Sequence, residues 1–114
     1  MAEAIPPARV REPGDEVELV DVRLDEEWEA AHIPGAKHIP LDSLSARAAE
    51  IDRSKPVVLY CRSGDRSGGA ADALAASGWD VQSMEGGLEA WAEKGLPLEP
   101  EAGEVIAPSG LPPA

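Results

Sequence analysis

One stretch constrains this chain more than any other: Val57-Val58-Leu59-Tyr60 after Pro56, then Cys61-Arg62-Ser63-Gly64-Asp65-Arg66, then the alanine-rich run that follows. Four consecutive apolar residues read as a short strand buried on both faces, as in the middle of a parallel sheet. The segment from Ser67 to Ser77 reads as a helix stopped by Gly78. The one cysteine of the chain closes the strand, and a polar loop bounded by Cys61 and Arg66 joins strand to helix. In open α/β sheets, ligands bind beyond the carboxyl ends of strands, where helix N-termini point free N–H groups. A thiol there faces the positive end of a helix and two guanidinium groups, all of which favour thiolate. Cys61 is therefore read as a nucleophile on an anion-binding loop, against the alternative of an inert buried thiol.

The other elements alternate in kind. Residues 1–16 form an N-terminal segment rich in proline and charge, with a possible edge strand at Ala8 to Arg11. Val17 to Val22 is a strand ending at Arg23. Asp25 is placed to cap a short helix through Ala31, with Trp28 as its buried anchor. His32-Ile33-Pro34-Gly35-Ala36 is a turn, and Lys37-His38-Ile39 a short strand. Asp42 or Ser43 opens a helix with Leu44, Ala48 and Ile51 on one face. Trp79 to Met84 is a further strand. After Gly86-Gly87, a helix from Leu88 to Lys94 carries Trp91 inward. Alternating strands and helices predict an α/β domain with a mainly parallel sheet over residues 17–98. The remainder, 99–114, has no basic residue and reads as a proline- and glutamate-rich tail that is disordered or lies loosely on the surface.

Charge and cysteine count exclude several functions. Lys and Arg total 10 against 22 Asp and Glu, a formal net charge of -12. Such a chain cannot neutralise a run of nucleic-acid phosphates. An anionic substrate must then be held by local donors, because the long-range field repels it. One cysteine permits neither an internal disulfide nor a multi-cysteine metal site. His32 and His38 are too isolated to form a metal centre, so His32 is read as structural. No stretch resembles a signal peptide or a membrane span, which makes a reducing cytoplasmic setting the expectation.

Three stretches carry a family resemblance. Asp21-Val22-Arg23, Glu26-Glu27-Trp28-Glu29 and His32-Ile33-Pro34-Gly35-Ala36 resemble the amino-terminal signature of rhodanese-like sulfurtransferases. Cys61 to Ser67 resembles their active-site loop, and Met84-Glu85-Gly86-Gly87 with Trp91 their carboxyl-terminal signature. The resemblance implies a five-stranded, mainly parallel sheet with helices on both faces and no cofactor. It also implies ping-pong transfer of sulfane sulfur: from thiosulfate or another persulfide donor, through a Cys61 persulfide, to cyanide or a thiol or protein acceptor.

Cys61 is then the catalytic residue, and Arg62, Ser63, Gly64, Asp65, Arg66 and Ser67 bind substrate. The loop's N–H groups can cradle the persulfide. Arg66 is expected to grip the donor's oxyanion end, and Arg62 to meet substrate at the mouth. Ser63 and Ser67 are read chiefly as hydrogen-bonding residues, and Asp21 and Arg23 as a buried ion pair or loop-fixing contacts. Asp65 departs from the uncharged residue expected at its position. Gly68 and Gly69 are assigned to close packing of helix against loop. Competing functions are a cysteine phosphatase or arsenate reductase, a partner-specific sulfur carrier, and a non-catalytic interaction module. The phosphatase signature, Cys-x5-Arg, needs a loop one residue longer than Cys61 to Arg66.

Overall fold

The computed structural model of the protein describes residues 3–10 and 17–106. Its centre is β4, Val57–Tyr60, with all four residues buried. Their side chains alternate between two apolar layers. Val57 and Leu59 meet Val20, Val22, Ile39, Leu44 and Ala71 on one side. Val58 and Tyr60 meet Leu19, Ile33, Met84, Leu88 and Trp91 on the other. Only a strand covered on both faces can carry such an unbroken apolar run.

β4 pairs in parallel with β2 (Glu18–Asp21) on one edge and β5 (Val81–Met84) on the other. Two-residue strands complete the sheet: β1, Ala4–Ile5, beside β5 and β3, Lys37–His38, beside β2. The order is β1-β5-β4-β2-β3, five strands, all parallel. The expected α/β architecture is thus present, and every strand exit lies at one edge of the sheet.

β1 corrects the expected edge strand at Ala8 to Arg11. Pro7–Val10 is instead a helical turn, α1, with Val10 buried, while Arg11 lies outside the described residues. Proline fixes φ for a first helical turn, and Pro7 opens this one. α2, Asp25–Ala30, starts one residue earlier than a cap at Asp25 would give. Its N-cap is Leu24, whose N–H donates to Glu27 Oε1 at 3.1 Å. Trp28 is only half-buried: it stacks on His32 with ring centroids 3.6 Å apart and on His38 at 4.8 Å. Glu27 takes the buried place assigned to the tryptophan.

The helix expected from Asp42 or Ser43 is broken into a 3-10 turn at Leu41–Ser43, α3 at Leu44–Arg47 and a 3-10 turn at Ala48–Glu50, with Leu44 and Ile51 buried as expected. α4 spans Asp65–Ala76 and starts two residues before the expected Ser67, so Arg66 and Ser67 sit in its first turn. α5 is Gly87–Glu93 with Trp91 buried.

The described part of the tail, 99–106, is tethered to the domain, with most of its residues exposed. Glu99 and His32 exchange backbone hydrogen bonds of 2.8 and 3.0 Å, and Val105 lies against the Trp91 layer. Residues 107–114 lie outside the described residues. Gly68 and Gly69 do not pack closely: a Cβ on either would meet nothing within 4 Å, and nothing in the structure explains their being glycine.

Candidate active site

Cys61 follows β4 at the strand-exit edge, and its side chain is fully buried. Three donors converge on its sulfur. The Gly64 N–H lies 3.1 Å from Sγ, the Ser67 N–H 3.4 Å and the Ser67 hydroxyl 3.5 Å. Cys61 therefore belongs to the apolar layer that holds Val22 and Ala71, yet has amides aimed at its sulfur. Free N–H groups of a helix's first turn have no intrahelical acceptor, and here Ser67 turns its own toward sulfur.

Two glycines make this geometry. Gly64 is the N-cap of α4 at φ 103°, a region that L side chains rarely occupy. This turns the chain abruptly enough for its own N–H to face back to Cys61. Gly87, at φ 61°, lies so close to the loop that a Cβ would come within 2.5 Å of the Cys61 and Arg62 carbonyl oxygens. Those two carbonyls accept hydrogen bonds from Leu88 N–H (2.8 Å) and Glu89 N–H (3.0 Å) at the start of α5. Anchored outward, they leave the loop's amides free to point inward.

Behind the cradle, Ser67 Oγ lies 2.8 Å from Ser83 Oγ on β5 and 3.3 Å from the Gly64 carbonyl. Both serines are buried, so the hydroxyls satisfy one another. Arg66 is not free to face an anion. Its Nη1 and Nη2 bind Glu27 Oε1 and Oε2 at 2.8 and 3.0 Å, a bidentate pair between loop and α2. Burial alone would push the Glu27 carboxyl up. Hydrogen bonds from Arg66 and the Leu24 N–H, with the charges of Arg66 and Arg23, outweigh this and hold it below its usual range. The Arg66 guanidinium is correspondingly raised, first by its bond to Glu27.

Arg62 Nε lies 3.2 Å from Glu89 Oε2, nearer the surface. Ser63 and Asp65 are exposed, with Ser63 Oγ 3.5 Å from Asp65 Oδ2. Asp21 and Arg23 form the buried ion pair expected: Nε and Nη2 donate to the carboxylate at 2.7–3.0 Å, and Nη2 also to the Ala31 carbonyl at 2.6 Å. Tyr60, 5.7 Å from the Arg23 guanidinium, receives the Ile33 N–H, and burial and the Asp21 charge push its hydroxyl far above the usual range.

The structure thus gathers Cys61, Gly64 and Ser67 around one atom and sets Arg62, Ser63, Asp65 and Arg66 outside it. Glu27, Ser83 and Glu89 were not singled out from the sequence. Glu27 had a visible signal: an acidic residue in the first turn of α2, three positions after its N-cap. Ser83 had a weaker one, a hydroxyl inside the strand Val81–Met84.

A cysteine cradled by amides at the exit of the central strand of a parallel α/β sheet defines the class: a cysteine-loop domain built for sulfur or oxyanion chemistry. A model of the rhodanese-like domain matches residues 7–94. A sulfurtransferase of Allochromatium vinosum is 38% identical over 97 residues, 84% of this chain and 84% of its own length. An uncharacterized protein of Bacillus subtilis is 44% identical over 78 residues, 68% of this chain, and the match spans 62% of that relative's length. The crystal structure of a rhodanese-related protein from Thermoplasma volcanium superposes with a TM-score of 0.78 at 28% identity, covering 84% of this chain and 96% of that one. The chain belongs to the rhodanese-like family. Among the described residues, no helix is long and apolar enough to cross a membrane.

Proposed function

We propose that the protein is a sulfurtransferase that carries sulfane sulfur as a Cys61 persulfide, from thiosulfate or another persulfide donor to cyanide or a thiol acceptor. The observation that carries this reading is the convergence of the Gly64 N–H, the Ser67 N–H and the Ser67 hydroxyl on Sγ. Such donors complement negative charge on sulfur, whether on the attacking thiolate or on the terminal atom of the persulfide.

With thiosulfate, the Cys61 thiolate attacks the outer sulfur. A bond forms from Sγ to that sulfur while the sulfur–sulfur bond of the donor breaks, and sulfite leaves with the electron pair. Attack by an acceptor thiolate or cyanide on the same sulfur then returns Cys61. Because Cys61 is fully buried, loading requires local opening of the loop or rotation of its side chain. Of the two arginines, Arg62 is the more readily turned to a donor. It holds a half-exposed carboxylate by one contact, whereas Arg66 is tied twice to a buried one. That reverses the order expected from the sequence.

Purified protein is expected to form thiocyanate from thiosulfate and cyanide, and Cys61→Ser to abolish it. Hydrolysis of an aryl phosphate without sulfur transfer would favour the phosphatase instead. Neither activity would leave an interaction module.

A further inference from the structure

Resting on the reading of Cys61 as a persulfide carrier, we propose that the loop selects its sulfur donor by charge. It disfavours small dianions such as thiosulfate and takes sulfur from a cysteine persulfide set among cationic side chains of a partner protein. Both guanidinium groups of the loop are already neutralised, Arg66 by Glu27 and Arg62 by Glu89. A dianion that recruited Arg66 would leave Glu27, with no exposed surface, without its partner.

Asp65 adds an exposed carboxylate to the loop itself, and no cation pairs with it among the described residues. Beside Ser63 and Gly64 runs a cleft of about 280 Å³ whose lining includes Glu3, Asp65 and Glu85 and, among the described residues, no basic side chain. Screening over about 8 Å at physiological salt leaves these nearby carboxylates, not the distant ones, to set the potential. Their effect scales with donor charge: doubly unfavourable for a dianion, favourable for a cation.

In this exchange the Cys61 thiolate attacks the terminal sulfur of the donor persulfide. The Sγ–sulfur bond forms, the donor's sulfur–sulfur bond breaks, and the donor cysteine leaves as thiolate. The proton stays with the transferred sulfur or passes to the departing thiolate, and no external oxidant or reductant is needed.

Time-resolved intact mass spectrometry tests this with three donors: thiosulfate, and two peptide persulfides of equal length whose cysteine is flanked by lysines or by glutamates. The lysine peptide is expected to load Cys61 about 10-fold faster than the glutamate peptide at low ionic strength, the gap closing as salt is added. Thiosulfate loading should instead quicken with salt. Asp65→Asn should raise thiosulfate loading several-fold and narrow the peptide ratio. Glu85→Gln should do the same to a smaller extent, which separates charge from any effect of Asp65 on the start of α4. Equal peptide rates, with thiosulfate loading indifferent to salt and to both substitutions, would overturn charge selection while leaving sulfur transfer intact. No gain of sulfur from any of the three donors would overturn the sulfurtransferase reading and this inference with it.

Discussion

Two arginine–carboxylate pairs follow the exits of β2 and β4 and do different things. Asp21–Arg23 joins residues two apart in sequence, and neither side chain has any exposed surface. Glu27–Arg66 joins residues 39 apart, and its arginine is 29% exposed. The first pair locks a strand exit to the end of α2 through the Ala31 carbonyl. The second ties the cysteine loop to α2. The pairs also sense one another: Arg23 helps to lower the Glu27 carboxyl, and Asp21 helps to raise the Arg66 guanidinium. The contrast teaches that an arginine in the signature loop can be architectural, with the sulfur served by backbone amides instead.

The largest effect should come from the fully buried pair. Arg23→Ala removes the guanidinium from buried Asp21 and leaves its carboxylate only the N–H of residue 23 (2.9 Å), at about 3–5 kcal/mol of stability. A urea midpoint that hardly moves would show that the pair is dispensable. Arg66→Ala should cost less, about 2 kcal/mol, because water reaches its site. A loss as great as that of Arg23→Ala would erase the distinction between the pairs.

Acid sharpens the comparison. The folded-state carboxyl of Glu27 is held below its ordinary 4.5. Its contribution is therefore complete above that value and lost as pH falls through the lowered one. Glu27→Gln should be less stable than the parent at pH 7, with the gap shrinking below about pH 4.5. A gap that stays constant with pH would assign the role of Glu27 to packing. Gly69→Ala touches neither pair and should stabilise by about 0.5–1 kcal/mol, since its Cβ would meet open space. A loss in its thermal midpoint would reveal a contact that the structure lacks.

Much of the fold was legible because its signals are local. Val57–Tyr60 announces a doubly covered strand, and Gly64 and Gly87 stand where the chain needs positive φ. Asp21–Arg23 could be expected because two residues at a strand exit find each other without help from the rest of the chain. The rest depends on distant partners. β1 is two residues that count as a strand only because β5 lies alongside, so no periodicity marks Ala4–Ile5. Glu27, and not Trp28, is the buried residue of α2 because a bidentate partner 39 residues away can bury a carboxylate. The described tail is tethered for a similar reason: Glu99 meets the backbone of His32, far away in sequence. Proline and glutamate content reports what a segment does alone, not what it meets.

The central claim is that the amides of Gly64 and Ser67 hold a sulfur-loaded Cys61. Intact mass after exposure to thiosulfate and to a peptide persulfide tests it most directly. The account predicts a gain of one sulfur atom, removed by thiol or cyanide and absent in Cys61→Ser. An unchanged mass with every donor, in protein shown to be folded, would contradict it.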